Sequence, residues 1–346
     1  MGVRKRVAVI FGGKSGEHEV SIVSARNVMA AFDQARWEPV PFGIDREGGW
    51  LTPAETAIQL EAGARTLRGG TPLPLASEAL AELSRCDLAF PLVHGTFGED
   101  GTLQGFLELC GLPYAGCGVA ASAIGMDKAL MKQLFEANGI PVPRYLVIRA
   151  WEADDAAACH AVEQRIGYPC FVKPANGGSS VGVSLVRSRE ELPRALRAAF
   201  AYGETALVEE RIAGQEVECS LLGDIDPQAS IPGEIVPDRE FYDYEAKYAP
   251  DSKSELHIPA RISPATAERV RALAVRMFRA IGGEGYARAD FFVRGDEVFA
   301  NEINTIPGFT NISMFPKLWE ASGIPYRELI TRILELALAR HERRRR

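Results

Sequence analysis

Several features are missing from this sequence, and each absence narrows the class of protein. No apolar run reaches the roughly eighteen residues that a membrane-spanning helix needs, so no membrane partner is expected. The six cysteines form no CxxC pair and lie mostly within apolar stretches, which predicts reduced, structural thiols and a cytoplasmic location. No cysteine–histidine cluster has the spacing of a zinc site.

Positive charge is also in short supply. Lysine and arginine total 39 against 46 aspartate and glutamate, a net charge of −7, which argues against a nucleic-acid partner or an anionic membrane surface. A chain of this charge that binds nucleotide phosphates must meet them with local lysines and metal ions. The one strong basic cluster is the closing run RHERRRR. Its favoured interpretation is a solvated helix end stabilised by the helix dipole, and a binding patch is the alternative.

Strands and helices alternate through the first third of the 346-residue chain, whose length suggests two or three domains. Basic residues before the apolar run VAVIF superficially resemble a signal peptide, but that run is too short and leads into glycines. The pattern predicts an open parallel α/β sheet. Strands are expected at 6–11, 38–44 and 86–94, helices at 19–32 and 102–111, and a partly irregular stretch at 46–80.

The pattern changes near residue 126. A helix at 127–139 is followed, within 168–186, by two predicted strands that a glycine–serine loop joins. A polar, aromatic segment at 233–251 has weak periodicity and is expected to be a loop. The final third then contains a helix at 264–281, a hairpin and a last helix beginning near Tyr326.

The hairpin that ends in NEIN carries unusual polar residues. If Gly295 lies in a three-residue loop, Asp290 faces Glu302 and Arg288 faces Asn304 on one side of the sheet, whereas a two-residue loop would shift the register and separate them. Two adjacent carboxylates repel unless a divalent cation lies between them, and oxygen ligands suit Mg²⁺. A solvent-facing polar strand face is the alternative. The arginine among the acids suggests that an anion binds there too.

The loop KPANGGSSVG, residues 173–182, is a candidate for holding that anion. Its glycines let backbone amides approach phosphate oxygens, its serines add donors, and Lys173 can reach a phosphate as a point charge. The spacing is not that of a P-loop. A flexible hairpin loop with no ligand is the alternative.

The segment FGGKSGEHEVS follows the first strand and opens a helix. A dinucleotide fingerprint fails here because Phe11 occupies the position of its first glycine, even though Asp45 follows the second strand. Glu17 at the helix start either complements the helix dipole or faces a ligand cleft.

Seven segments in order make the sequence similar to a known family: GGKSGEHEVS, HGTFGEDGTLQG, GVAASAIGMDK, VKPANGGSSVG, YDYEAKY, ARADFFV and NEINTIPGFTNISMFP. The chain resembles the D-alanine–D-alanine ligases of the ATP-grasp superfamily from about residue 6 to about residue 338. The resemblance implies an N-terminal open parallel α/β sheet domain, followed by central and C-terminal α+β domains that sandwich ATP. The corresponding limits are residues 1–125, 126–213 and 214–346.

The resemblance also implies which residues surround ATP. Two Mg²⁺ ions, with Mn²⁺ as an alternative, bridge the β- and γ-phosphates: Asp290 and Glu302 hold one ion, and Glu302 and Asn304 hold the other. Such ligases often have lysine where this chain has Glu210, which puts the contact of that side chain in doubt but not the backbone contacts. The implied nucleotide-binding residues are Lys128, Lys173, Ser179, Ser180, Val181, Glu209, Glu210, Ile212, Glu216, Lys247, Asn301 and Glu302.

The implied reaction phosphorylates the carboxylate of a first D-alanine, and the amine of a second D-alanine then displaces phosphate. Glu17 binds the first ammonium group, with His94 nearby, while Arg288 and the Gly308 N–H stabilise the tetrahedral oxyanion. Ser313 and Met314 form the pocket of the second D-alanine. Tyr248 closes over the site in a hydrogen-bonded latch with Ser179 and Glu17, and Lys247 reaches the γ-phosphate.

Other functions remain open at this level. A different ATP-grasp ligase, acting on D-lactate, D-serine or another amino acid, is the main alternative, although the retained EAKY favours D-alanine as second substrate. A non-catalytic nucleotide sensor on the same scaffold is less favoured, because such a protein could lose Arg288 or a metal ligand, and this chain retains all of them. The resemblance further implies a homodimer that serves peptidoglycan precursor synthesis.

Overall fold

The computed structural model describes residues 4–152, 154–178, 181–237 and 254–345. Four residues with predicted roles, Ser179, Ser180, Lys247 and Tyr248, lie outside these ranges. The described chain forms three β-sheets with helices packed against them. Within the same ranges, no helix has both the length and the apolar character needed to cross a membrane.

The first sheet is parallel, as the sequence predicts. It consists of β1 (Lys5–Gly12), β2 (Trp37–Ile44) and β3 (Leu88–Pro91) in the order β2-β1-β3. Val7 and Phe11 of β1 pack into one core cluster and Ile10 packs into another, because helices cover both faces. The helices of this part are α1 (His18–Ala31), α2 (Pro53–Glu61), α3 (Ser77–Leu83), α4 (Thr102–Leu109) and α5 (Val119–Met126).

The segment 46–80 is more regular than expected, since it contains α2 and most of α3. Thr52 and Glu55 form a reciprocal capping box at the start of α2, and Pro53 occupies its first turn. These local signals were present in the sequence, although the apolar periodicity of so short a helix is weak.

The second sheet is antiparallel and four-stranded. It contains β4 (Tyr145–Arg149), β5 (Cys170–Pro174), β6 (Ser184–Val186) and β7 (Thr205–Glu210), in the order β4-β7-β5-β6. The glycine–serine loop joins β5 to β6, as predicted. Three helices accompany this sheet: α6 (Lys128–Ala137), α7 (Asp155–Arg165) and α8 (Leu192–Phe200).

The third sheet has six strands. Its main path is β11-β10-β8-β12-β13, and β9 pairs with β8. The bounds are β8 (Gln215–Leu222), β9 (Gln228–Ala229), β10 (Gly233–Val236), β11 (Glu255–His257), β12 (Tyr286–Arg294) and β13 (Glu297–Asn304). The associated helices are α9 (Pro264–Ala280), α10 (Met314–Ala321) and α11 (Tyr326–Arg344). The segment 233–251 was expected to be a loop, but it begins with β10, which is held by pairing to β8 and β11 rather than by its own sequence.

The hairpin of β12 and β13 reaches the expected pairing by a different route. Arg294 pairs with Glu297, so the loop has two residues and the expectation of a three-residue loop was wrong. A β-bulge between Asp290 and Phe291 adds one residue on β13 and restores the pairing of Asp290 with Glu302. The Gly295 φ of +60° suits the first position of such a tight turn.

Most of the described C-terminal basic run is exposed at the end of α11, as a solvated helix end predicts, but three of its arginines also have partners within the molecule. Arg344 forms ion pairs with Glu108 and Glu284, and Arg343 pairs with Asp224. Arg340 is buried and donates hydrogen bonds to the carbonyl oxygens of Tyr114 and Gly116. The end of α11 is therefore attached to the loop that follows α4 and to the turn before β12.

Aromatic packing joins the first and third sheets. Phe90 of β3, Tyr286 of β12 and Phe309 meet edge to face, with ring centroids 5.4–6.1 Å apart. The Phe315 ring is tilted against Phe309, with centroids 5.0 Å apart. These side chains are almost fully buried. They fix the segment after β13, which forms one wall of the cleft.

Candidate active site

Two cavities meet at the polar face of the hairpin. The smaller, of about 380 Å³, is bordered by strands of the second and third sheets, including Lys173, Glu209, Glu216 and Asp290. The larger, of about 750 Å³, is bordered by residues near the first sheet and by the segment after β13. Six residues border both cavities: Lys128, Gly177, Gly178, Glu218, Ile235 and Glu302.

The predicted cluster on the hairpin face is present. Arg288 pairs across the ladder with Asn304, and Asp290 pairs with Glu302. The Arg288 guanidinium donates from Nε and Nη2 to the two carboxylate oxygens of Asp290, both at 2.7 Å. Its Nε also lies 2.9 Å from Glu218 Oε2. Burial by itself lowers the pKa of Arg288, but the surrounding carboxylates more than offset this and raise it well above its usual value.

The β-bulge explains how two consecutive residues border the smaller cavity. In a regular strand Asn301 and Glu302 would point to opposite faces, but the extra residue allows both to line this cavity. The Asn301 Oδ1 is buried and has no hydrogen-bond partner among the described residues. A buried acceptor of this kind calls for a ligand or an ordered water.

The donor set suits a hard divalent cation. Asp290, Glu302 and Asn304 supply two carboxylates and an amide oxygen on one sheet face. Within the described ranges no three His, Cys, Asp or Glu side chains are grouped to hold a metal by themselves. Mg²⁺ usually takes only one or two carboxylates and completes its shell with water and substrate phosphates, so this face fits it.

Lysines surround the other end of the smaller cavity. Lys128 Nζ donates to the Gly177 carbonyl at 2.6 Å and lies 3.8 Å from Glu302 Oε2. Lys173 Nζ donates to Glu209 Oε1 at 2.9 Å. Val181, from the predicted phosphate-covering loop, lines the same cavity. The predicted nucleotide residues within the described chain are thus brought together.

Ile212 and Glu216, two of the predicted nucleotide residues, border the smaller cavity. Glu210 also borders it, but the Glu210 side chain binds Arg144. The Glu210 carboxylate accepts hydrogen bonds from the backbone N–H of Arg144 at 2.8 Å and from its Nε at 2.9 Å. This explains how glutamate is accommodated where related ligases often have lysine.

Glu17 lies at the first turn of α1 and borders the larger cavity. A Cβ atom added to Gly178 would lie 3.3 Å from Glu17 Oε2, so the Glu17 carboxylate is next to the loop that contains Ser179. Because the larger cavity also includes Arg288, Glu17 and Arg288 border the same space.

His94 is held by several partners. Its Nδ1 lies 2.9 Å from the Ile306 carbonyl and 3.6 Å from Glu99 Oε1, and its Nε2 lies 3.1 Å from Ser24 Oγ. Burial acts to lower the pKa of His94, but Glu99 raises it above its usual value. Burial raises the pKa of Glu99 to about 7. His94 is therefore both a satisfied buried histidine and a residue that borders the cavity.

The segment after β13 places Gly308, Ser313 and Met314 at the larger cavity. The Thr310 N–H donates to Ser313 Oγ at 3.1 Å, which folds the segment back on itself. A Cβ atom on Gly308 would lie only 2.9 Å from Ser313 Oγ, so this close approach requires glycine.

Sequence reasoning missed two residues that border the cavities, Glu218 and Glu99, and one buried residue behind the smaller cavity, Lys132. Glu218 follows Glu216 by two positions on β8, and this period alone could have placed both on one face. Lys132 follows Lys128 by four positions on α6, and Glu99 lies within the motif HGTFGEDG. Each signal was visible, but Glu218 and Lys132 have partners in distant parts of the chain, Arg288 and Glu209, whereas the Glu99 partner, His94, is five positions away.

The fold resembles solved ligase structures over nearly the whole chain. One neighbour is the D-alanine–D-alanine ligase from Coxiella burnetii, with a TM-score of 0.84, 35% identity and coverage of 99% of this chain and 97% of that one. Another is the VanG D-Ala:D-Ser ligase from Enterococcus faecalis, with a TM-score of 0.81, 32% identity and coverage of 97% and 100%. Fold and site together define an ATP-grasp enzyme, an ATP-dependent carboxylate–amine ligase.

Sequence comparison identifies the family within that class. The family models described as D-ala D-ala ligase N-terminus and C-terminus match residues 6–117 and 134–335. The D-alanine–D-alanine ligase of Natranaerobius thermophilus is 45% identical, covering 97% of this chain and 96% of its own. That of Heliobacterium modesticaldum is 46% identical, covering 99% and 97%. The chain belongs to the D-alanine–D-alanine ligase family.

Proposed function

We propose that this protein joins two D-alanine molecules into D-alanyl-D-alanine with ATP, releasing ADP and phosphate, for peptidoglycan precursor synthesis. The observation that carries the proposal is the junction of the two cavities at Glu218, Glu302 and Lys128, with Arg288 of the larger cavity in contact with Glu218. A phosphoryl donor in the smaller cavity and an amino acid in the larger one would meet there. Positioning of this kind is a main source of catalysis in phosphoryl transfer.

The smaller cavity is the proposed ATP site. We assign Ile212 and Glu209 to the base, Glu216 to the ribose, Lys128 and Lys173 to the phosphates and Asn301 to the metal end; all of these residues border the cavity. Asp290, Glu302 and Asn304 would hold two Mg²⁺ ions, or Mn²⁺ in their place. When bound, these ions would neutralise charge on the β- and γ-phosphates.

In the first step an oxygen of the D-alanine carboxylate attacks the γ-phosphorus, and the bond from phosphorus to the β-γ bridging oxygen breaks to release ADP. Glu17 is assigned to the ammonium group of this D-alanine, and His94 orients the neighbouring wall. The product is D-alanyl phosphate, whose phosphate is a good leaving group. A water-free cleft protects this intermediate from hydrolysis.

In the second step the amine of another D-alanine attacks the carbonyl carbon. The amine loses a proton, and phosphate departs with the electrons of the carbon–oxygen bond. Arg288 and the Gly308 N–H are the proposed oxyanion donors; one such donor typically contributes about 3–4 kcal/mol. Ser313 and Met314 form the proposed pocket for the second D-alanine, bordering the same cavity as Arg288.

The remaining assignments extend the same proposal. Ser179, Ser180, Lys247 and Tyr248 are assigned to phosphate covering and closure, and they lie outside the described residues. A homodimer in the cytoplasm is the proposed state of the protein. The domain limits of residues 1–125, 126–213 and 214–346 belong to the proposal as well.

The direct test is incubation of the purified protein with ATP, Mg²⁺ and D-alanine, followed by identification of nucleotide and dipeptide. ADP and D-alanyl-D-alanine should form in equal amounts. Parallel reactions add D-lactate or D-serine as the second substrate, and L-alanine serves as a control. Faster phosphate release with D-lactate than with D-alanine at neutral pH would overturn the assignment of the second substrate.

A further inference from the structure

Lys132 is a buried cation without a role in the function proposed above. It belongs to α6, one turn after Lys128, and its side chain is fully buried at 0% exposure. It is not among the described residues that border either cavity. A lysine is almost never buried so completely without a strong reason.

The ion-pair partner of Lys132 is Glu209. Lys132 Nζ lies 2.6 Å from Glu209 Oε2, while Lys173 Nζ donates to Glu209 Oε1 at 2.9 Å. The Glu209 side chain is only 2% exposed. One buried carboxylate is therefore shared between a lysine that borders the smaller cavity and a lysine that lies behind it.

The two lysines hold Glu209 in its ionised form. Burial alone would raise the pKa of the Glu209 carboxyl, but the two ammonium groups more than offset this and lower it below its usual value. This charge state makes both oxygens of Glu209 acceptors only.

The arrangement shown cannot persist unchanged when a triphosphate enters the smaller cavity. Lys173 borders that cavity, and a polyphosphate carries far more negative charge than one carboxylate, so Lys173 is drawn towards it. Glu209 would then keep a single cation, Lys132. Its Oε1 would be open to a new donor from the ligand, because an ionised buried carboxylate is costly when left unsatisfied.

We propose that Lys132 is a positioning residue that keeps Glu209 ionised and in place while Lys173 moves to the triphosphate, so that the site selects a purine with an amino group at its 6-position. This inference rests on the proposed ATP site and extends it to nucleotide selectivity. Adenine presents an amino donor at its 6-position, whereas guanine presents a carbonyl oxygen there. A carboxylate accepts a hydrogen bond from the 6-amino group of adenine and repels the 6-carbonyl oxygen of guanine.

The test replaces Lys132 with methionine, which has a similar length and no charge. Without Lys132, Lys173 stays with Glu209, so both nucleotides lose a phosphate contact and only ATP also loses the acceptor for its amino group. The dissociation constant of Mg²⁺–ATP by calorimetry should rise at least tenfold and that of Mg²⁺–GTP by a clearly smaller factor, so that the ATP-to-GTP preference falls. The KM for ATP should rise accordingly, while kcat at saturating ATP stays within about threefold. Lys5→Met, at an exposed lysine of β1, is the matched control and should behave like the parent protein.

A Lys132→Met protein that keeps the parental ATP-to-GTP preference within twofold would overturn the proposal. A structural role alone would lower the urea midpoint without changing that preference. In a Glu209→Gln background, the Lys132→Met change should have no further effect on the preference, because Lys132 acts through Glu209. A full additional effect in that background would also contradict the proposal.

Two outcomes separate this inference from the proposed function. If Lys132→Met does not fold, the Lys132→Met/Glu209→Gln protein removes both charges and leaves no unpaired ion. That protein should bind ATP and GTP about equally, and a retained preference would overturn the inference. If the parent protein prefers ATP and the variant loses that preference, yet no dipeptide forms, the proposed ligation fails while the role of Lys132 stands.

Discussion

Arg340 offers a quantitative test of how the C-terminal helix is attached to the rest of the molecule. Its side chain is 3% exposed, its guanidinium binds two backbone carbonyls, of Tyr114 and Gly116, and its Cζ lies 4.8 Å from the Tyr114 ring centroid. Glu284 lies 3.5 Å away and supplies the counter-charge. The proposed perturbation is Arg340→Met, which keeps much of the aliphatic stem and removes the donors.

The expected magnitude follows from these contacts. Two hydrogen bonds from a charged donor contribute about 1.5–3 kcal/mol each, and the two carbonyls left without a partner each cost about 1–3 kcal/mol of desolvation. These are two descriptions of the same loss and are not added. Since methionine recovers some packing, the free energy of unfolding should fall by about 3–5 kcal/mol.

The assay is urea unfolding followed by circular dichroism and tryptophan fluorescence. The control is Arg332→Met on the same helix, where an exposed i,i+4 pair with Glu328 should contribute less than about 1 kcal/mol. A loss below 1 kcal/mol for Arg340→Met, or a loss equal to that of the control, would refute the reasoning. It would mean that the Arg340 hydrogen bonds do not hold the end of α11.

Four further outcomes are expected. Glu302→Gln should remove most turnover while circular dichroism and the urea midpoint stay close to the parent; an unchanged kcat at saturating Mg²⁺ would exclude the metal role. Arg288→Ala should lower kcat by about two to three powers of ten, measured by ADP release, if the residue acts as an oxyanion donor. Chelation of divalent ions should abolish ADP formation, and Mg²⁺ or Mn²⁺ should restore it; undiminished dipeptide synthesis would contradict the site. Burial raises the pKa of Glu99 from 4.5 to about 7, so the native state keeps a proton that the unfolded chain releases. The free energy of unfolding should therefore lose about 3 kcal/mol between these pH values, and Glu99→Gln should flatten that slope.

The hairpin shows what residue spacing can predict and what it cannot. Alternation along two strands correctly placed Arg288, Asp290, Glu302 and Asn304 on one face. The predicted loop length was nevertheless wrong, because counting from the turn assumes a regular ladder. The bulge at Asn301 cannot be predicted from that count, since it depends on how β12 pairs with β8 and on the cavity that the extra residue faces.

Several charged residues show that local sequence does not reveal partners that are remote along the chain. Glu218, Lys132 and the C-terminal arginines were underestimated because their partners lie far away in sequence: Arg288 for Glu218, Glu209 for Lys132, and backbone carbonyls for Arg340. A charged residue on a polar helix face has the same local sequence signature whether it is solvated or buried against a distant partner.

The sequence by itself determined most of the strands and helices, which side chains share a strand face in the hairpin, and, through its ordered motifs, which family the chain resembles. Those properties depend on local periodicity and on the identity of neighbouring residues. The tertiary structure alone decided the turn and bulge of the hairpin, the sharing of Glu209 between two lysines, and the burial of Arg340. Each of these depends on the distance between elements remote in sequence, and that distance is set by how the cores of the three sheets pack.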